Sequence, residues 1–495
     1  MSPSPCPAFD NSYVQLPERF YTHQLPVPVS SPSSIQVNHT LARDLGFDPD
    51  WLESEAGTAM IAGNFIPEGA DPIATVYAGH QFGGWSSQLG DGRAILLGEV
   101  IARDGIRYDI QLKGSGRTPY SRGGDGRAPL GPVLREYIVS EAMAALGVPT
   151  TRALAAVTSG DWVTREGRLP GAVLARVAQS HIRIGTFEFF AARQDFDALR
   201  ILVQHVIERH YPLAEQDEHP VRAMLDGVIK NQARLVAQWQ LLGFIHGVMN
   251  TDNMLLSGET IDYGPCAFMD EYNPSTVFSY IDKGGRYAYQ NQAHIAHWNL
   301  SALTNALLPL LDEDQDKALA SGQAAIDAFP GLYQAAYQQG MLEKLGLVEN
   351  GPEDLELIQD LLQIMQAEQT DFTLTFRRLA DLADPQANTG NHVDSLIELP
   401  GAFAPWLERW NRRLTADKQD PHLRQQRMYL VNPVYIPRNH LVEEAINAAI
   451  DQQNFEPFQM LLELVTQAMN FEHTKARYAT PPRPEQVVTQ TFCGT

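Results

Sequence analysis

Residues 246–253 read HGVMNTDN, and residues 261–264 read IDYG. Asn253 and Asp262 are oxygen donors of the kind a small, hard dication accepts. Such an ion keeps water and other oxygens in its octahedron, so one amide and one carboxylate from the chain suffice to hold it. A helix end followed by a tight hairpin would present the same two side chains for purely structural reasons. Asp252 stands beside Asn253 and is the carboxylate of this segment left over for proton transfer, with capping or support of the metal ligand as its other reading.

An Asn followed across a hairpin by Asp-x-Gly is how kinase-like folds place two Mg²⁺ ligands. That layout has a catalytic Asp five residues before the Asn, where this chain has Val248. Valine accepts no proton, so phosphoryl transfer by the usual base is ruled against. Upstream, SSQLGDGRAILLGEV at 86–100 offers Gly90 and Gly92 for close backbone approach to phosphate and Arg93 for charge. The strand segment DIQLKG then supplies Lys113, and Glu136 follows 23 residues later on a predicted helix. That order and spacing suit a phosphate-anchoring Lys and the Glu that orients it. Between them lie Arg117, Arg122, Arg127 and Arg135 among glycines, and Arg176 and Arg183 follow in ARVAQSHIRIGTFEFF. Guanidinium groups beside glycines match polyphosphate geometry, although arginines in an acidic chain also serve as salt-bridge partners.

The elements that must position these residues change along the chain. Residues 1–75 begin rich in Pro and Ser and then show one short helix, LARDLGF, and are expected to form an extension packing on the core. Over 76–190, RAILLGEV, IRYDIQLKG, WVTRE and GAVLARVA alternate as antiparallel strands do, with the helix PLGPVLREYIVSEAMAALG inserted among them. From 191 to 495 helical periodicity dominates, interrupted at 246–264, where MLL and ETID read as a short hairpin around Ser257 and Gly258. The expected fold class is α+β: a bilobal, protein-kinase-like arrangement with a β-rich N-lobe, an αC-type helix, a large helical C-lobe and extensions at both ends.

Thirty-seven Lys and Arg against 59 Asp and Glu give a net charge of −22, which argues against a nucleic-acid binder that works by phosphate neutralisation. Cys6, Cys266 and Cys493 fit neither a disulfide scaffold nor a zinc spacing. No apolar run approaches the roughly 20 residues of a membrane span, and the start lacks a secretory or transit pattern. A cytoplasmic monomer is expected.

Several long segments resemble the selenoprotein O family of protein adenylyltransferases, whose fold is pseudokinase-like. They are YAGHQFGGWSSQLGDGRA, QLKGSGRTPYSRGGDGRAPLGPVLREYIVSEAM, HGVMNTDNM with IDYGP, and, outside these, NPVYIPRNH and the terminal TFCGT. The resemblance implies ATP bound in a flipped orientation that exposes its α-phosphate. AMP would pass to Ser, Thr or Tyr hydroxyls of proteins, the enzyme itself included, with release of pyrophosphate. It implies Lys113 and Glu136 as an ion pair, and Gly90, Gly92, Arg93, Asp125, Gly126, Arg176 and Arg183 as ATP contacts together with Lys113 and Asp262. Asn253 and Asp262 would hold Mg²⁺ or Mn²⁺, and Asp252 would accept the proton. Eukaryotic members carry selenocysteine near the chain end, where this sequence has Cys493. A Cys266–Cys493 disulfide that makes activity redox-sensitive is one expectation, and two unconnected thiols are the other. Two further readings stay open: a kinase-type phosphotransferase, and a catalytically dead ATP-binding scaffold.

Overall fold

Successive side chains of a strand point to opposite faces, and the computed structural model, a mixed α/β chain, buries the central strands of its main sheet on both faces over most of their length. It describes residues 5–386 and 392–491. The strands of the main sheet are β1 (Tyr21–His23), β2 (Ser33–Val37), β3 (Ile73–Gln81), β4 (Gly84–Gly90), β5 (Ala94–Ile101), β6 (Arg107–Lys113), β7 (Ala128–Pro129), β8 (Arg152–Thr164) and β9 (Arg168–Ala178). Their order is β1-β3-β5-β6-β9-β8-β2, with β4 paired to β3 and β7 to β9, and the pairings are antiparallel. The first 75 residues thus supply the two strands that end this order. They are also tied down by Glu99, whose carboxylate accepts from the Tyr13 N–H and the Ser12 hydroxyl, each at 2.6 Å.

The helix Leu130–Ala145 is buried along nearly its whole length, Arg135 and Glu136 included. A helix apolar on most sides needs cover on most sides. One side packs on β8 and β9, and another meets the helices Asn439–Gln452 and Glu456–Thr466 through Leu441, Val442, Ala445 and Phe458. Gly131 permits the approach, since a Cβ there would lie 3.0 Å from Ile446. Gly147, with φ +76°, follows the end of the helix in a conformation that suits glycine.

Beyond residue 183 helices prevail. Ile184–Ala191, Phe196–His210, Pro220–Leu241 and Gln292–Leu311 share a core with Phe244, Met254 and Tyr263. A second core gathers around the stacked indoles of Trp406 and Trp410. The antiparallel pair β10 (Phe244–Ile245) and β11 (Ala267–Phe268) brackets residues 246–264. The expected hairpin inside that stretch is corrected. A turn does form, with the Gly258 N–H on the Leu255 carbonyl at 3.1 Å, but its arms do not pair with each other. Leu255 bridges to Arg183 and Thr260 to Thr150. Leu255, Leu256 and Ile261 are fully buried, so each arm follows the surface that covers it. No helix among the described residues is long and apolar enough to cross a membrane.

Candidate active site

Gln111 and Lys113 lie two residues apart on β6 and so share a face, and the β6–β9 register sets Arg176 opposite Gln111. These three side chains build a buried ionic network. The Arg176 guanidinium donates to Gln111 Oε1 at 2.6 and 3.2 Å, to Glu136 Oε1 at 3.1 Å and to Asp262 Oδ1 at 2.7 Å. Lys113 Nζ donates to Glu136 Oε2 and, at 3.2 Å, to Asp262 Oδ1. Arg183 reaches Asp262 Oδ2 at 3.2 Å and the Asp252 carbonyl at 2.5 Å, and its guanidinium lies 4.7 Å from the Tyr77 ring centre. Burial opposes ionisation of Glu136, yet Lys113 and Arg176 outweigh it and hold the carboxyl below its usual range. For Asp262 burial is again outweighed, by Arg176, Lys113, Arg183 and Arg93, and its carboxyl lies well below the usual range. Both acids are therefore carboxylates at neutral pH.

Asp262 has φ +63°, a region that Asp tolerates better than most residues. His246 pins the loop before it. Its Nε2–H donates to the Ile261 carbonyl at 2.9 Å, and its Nδ1 accepts from the Val248 N–H at 3.3 Å. Val248, which replaces the usual base, still contributes its carbonyl: Asn253 Nδ2 donates to it at 3.0 Å. That bond commits the amide nitrogen and leaves Asn253 Oδ1 as the donor for a cation.

Asp252 differs in kind from Asp262. Its Oδ2 accepts from Gln81 Nε2 at 3.2 Å, while its Oδ1 is buried and has no hydrogen-bond partner. Burial lifts its pKa from 3.8 to about 6, against the pull of Arg183 and of the Gln81 hydrogen bond. Gly79 makes room for it, since a Cβ there would stand 2.7 Å from Asp252 Oδ1. A buried carboxyl that titrates near 6 with an uncommitted oxygen has the properties of a general base.

Lys113, Glu136, Arg176, Arg183 and Asp262 thus come together, with Asp252 joined to them through Arg183. Arg93 adds its charge to the field at Asp262. Gly90 and Gly92 border the Tyr120 segment, where a Cβ would lie 2.4 Å from the Tyr120 ring and 2.8 Å from its carbonyl respectively. Gly126, at φ +69°, fits against Gly116. Asp125 stands apart from the buried network, half-exposed in a two-pronged pair with Arg165 at 2.9 and 3.0 Å. Arg127 caps the Val27 and Pro28 carbonyls, and Arg135 turns to Asn439 and Glu443. Cys266 is buried, and Cys493 lies outside the described residues. Thr491 donates to the carbonyl of Pro265, beside Cys266, at 2.7 Å. Sequence reasoning missed Gln111, Tyr77 and Gln81. Gln111 had a signal, two residues from Lys113 on a strand, whereas Gln81 had none, because its contact spans 171 residues.

Comparison with known proteins favours one of the open readings. The family described as "Protein adenylyltransferase SelO" matches residues 7–466. This chain belongs to that family. Among relatives, the protein nucleotidyltransferase YdiU of Rhodopseudomonas palustris (strain BisB5) is 57% identical over 487 residues, 98% of this chain and 99% of the relative. The proteins of the same name from Bradyrhizobium diazoefficiens and Methylorubrum extorquens (strain PA1) are 57% and 56% identical over 490 and 492 residues, with 98% of this chain and 99% of each relative covered. These relatives thus align with nearly the whole of this chain.

A nucleotidyltransferase of this family takes a nucleoside triphosphate and, in general, a divalent metal. Among the described residues no group of three or more His, Cys, Asp or Glu is arranged to hold an ion. An ionised Asp262 and an oriented Asn253 oxygen nevertheless fit a hard dication whose remaining ligands are phosphate oxygens and water. Lys113, Arg176 and Arg183 bring their positive charge to the same carboxylate.

Proposed function

We propose that this protein transfers AMP from ATP to Ser, Thr or Tyr hydroxyls of polypeptides, itself included, and releases pyrophosphate. The observation that carries the reading is the pairing of a charge-saturated carboxylate, Asp262, with a buried and under-bonded one, Asp252, where the usual base is Val248. Lys113, Arg176, Arg183 and Arg93 bind the triphosphate, and Glu136 keeps Lys113 extended toward it. When bound, Mg²⁺ at Asn253 and Asp262 offsets the charge of the triphosphate, and Mn²⁺ suits the same oxygen donors. Asp252 takes the proton from the incoming hydroxyl as its oxygen attacks the α-phosphorus and the bond to the β-phosphate bridge breaks. Gly90, Gly92, Asp125 and Gly126 belong to the nucleotide's surroundings on this reading.

The lobes of a kinase-like fold correspond to residues 76–190 and 191–495, with 1–75 as an extension, and the protein works as a cytoplasmic monomer. The proximity of Thr491 to Pro265 supports a regulatory disulfide between Cys266 and Cys493. Intact mass under oxidising and reducing conditions tests it, and two free thiols after oxidation would remove it.

The deciding experiment follows ATP labelled at the α- or γ-phosphate into the protein and a lysate, with Mg²⁺. Stable α-label with pyrophosphate release is expected. Incorporation of γ-label would make the protein a kinase despite Val248, and neither label with ATP still bound would make it a scaffold.

A further inference from the structure

A cavity of about 450 Å³ lies on the face of β3 opposite the candidate base, and the adenylyl-transfer chemistry leaves it unused. Its walls come from the β3–β4 hairpin and from the helices Ile184–Ala191 and Gln292–Leu311, and they include His80, Trp85, Glu188, Trp298 and Asn305. His80 sits between two indoles, with ring centres 4.9 Å from Trp85 and 5.1 Å from Trp298. Its Nδ1 lies 2.6 Å from Glu188 Oε1. Glu188 is 5% exposed, and its Oε2 is buried with no hydrogen-bond partner. Trp85, by contrast, leaves 43% of its surface in solvent. No Lys or Arg is among the residues that line the cavity.

Two indoles and a carboxylate with an unused, buried oxygen are the parts of a cation site: the ring faces attract a cation, and the oxygen accepts a charge-assisted hydrogen bond. Trp298 already does this once, with the Arg286 guanidinium 5.0 Å from its ring centre on a neighbouring loop. The position relative to the base is equally specific. Gly79, His80 and Gln81 are consecutive on β3. Gly79 and Gln81 face Asp252, and the His80 side chain faces the cavity while its N–H donates to Thr251 at 2.8 Å. Consecutive residues of β3 thus meet Asp252 and line the cavity, so only the thickness and edge of the β3–β4 hairpin separate the two, a span that a few residues of extended polypeptide cover at about 3.3 Å each.

We propose that this cavity is the acceptor subsite and that it takes a Lys or Arg side chain flanking the hydroxyl that receives AMP. The proposal rests on the adenylyl-transfer reading above and names the class of polypeptide that reading leaves open. The cationic head meets Glu188 Oε2, and its aliphatic stem lies along Trp85 and Trp298.

The test uses the full-length enzyme, ATP with Mg²⁺, and synthetic peptides that carry one Ser with a single Lys at each of three positions on either side, alongside Gln and Glu counterparts. One offset is expected to show kcat/KM at least about tenfold higher for Lys than for Gln, which corresponds to about 1.4 kcal/mol. Glu188→Gln and Trp298→Leu should erase that preference by raising the peptide KM, with kcat for the peptide shifting less than twofold. Anisotropy of a labelled Lys peptide, with a non-hydrolysable ATP analogue present, reads the same loss without turnover. If the variants fail to fold, the ranking of peptides by the unaltered enzyme still decides. Equal use of Lys, Gln and Glu peptides, or a preference that survives Glu188→Gln, would overturn the subsite and leave adenylyl transfer standing. Absence of α-label from every peptide and protein would sink adenylyl transfer and the subsite with it.

Discussion

Asp262 is held by Lys113, Arg176 and Arg183 in one buried network with Glu136, whereas Asp252 and Glu188, on the two sides of β3, each keep a buried oxygen with no hydrogen-bond partner. The first region has its charges fixed before any ligand arrives, and the second holds acids whose bonding is incomplete. Buried charge is tolerated where opposite charge surrounds it and is costly where it is not. A site that must grip a triphosphate gains from the first arrangement, since preset charge needs no reorganisation on binding. A site that must accept a proton gains from the second, because desolvation moves a carboxyl toward neutral pH.

The largest break in that contrast is Asp262→Ala. On the proposed function it removes a metal ligand, and it leaves Lys113, Arg176 and Arg183 facing one another, so AMP transfer should fall by roughly 10³-fold. Thermal unfolding of the same variant should report a loss of about 3–5 kcal/mol, the usual result of breaking one side of a buried pair. A fully stable Asp262→Ala protein would mean that the three cations do not depend on Asp262 for their compensation.

Next comes Asp252→Asn, expected to slow transfer roughly 100-fold while nucleotide affinity, read by calorimetry, changes less than threefold. Its stability should move in the opposite sense to that of Asp262→Ala. A carboxyl raised from 3.8 to about 6 by burial favours the folded state below pH 4 and ceases to do so as pH rises through about 6. In metal-free protein the native chain should therefore lose roughly 2–3 kcal/mol between pH 4 and pH 8 relative to Asp252→Asn. Asp262 carries the other sign: its depressed pKa gives stability above 3.8 that disappears as pH falls through the folded value.

Arg135→Ala sharpens the comparison from outside the site. Arg135 joins the Glu136 helix to Asn439 and Glu443 without touching the network, so its loss should lower stability by about 2 kcal/mol and transfer by only about tenfold, seen as a higher KM for ATP. Smallest of all is Arg165→Ala, which frees the half-exposed Asp125. A surface pair of this kind contributes under about 1 kcal/mol, so the melting temperature should barely move. A several-fold change in KM for ATP in that variant would instead show that the pair holds Asp125 for the nucleotide.

Much of the buried network proposed to meet the triphosphate was legible in the chain. Lys113 on a strand, Glu136 on the next helix, and Asn253 and Asp262 in one segment are recognisable because local spacing and side-chain chemistry suffice to define them. The hairpin expected of MLL and ETID did not form, because its arms are placed by Arg183 and Thr150 and not by their own pattern. The aromatic cavity had no local signal either, since His80, Glu188 and Trp298 come from three segments more than 100 residues apart.

What the sequence determined by itself was the inventory: the oxygen donors, the anchoring Lys with its Glu, a surplus of arginines in an acidic chain, and the missing base at Val248. Only the tertiary structure decided which arginines meet Asp262. It sent Arg176 and Arg183 to Asp262, Arg135 to the C-terminal helices and Arg127 to the N-terminal segment. It also gave the two neighbouring aspartates different proton affinities. The physical reason is that residue type sets a group's intrinsic chemistry, while burial and the charges within a few ångströms set its pKa and its partners, and those neighbours come from strand register and helix packing between distant segments.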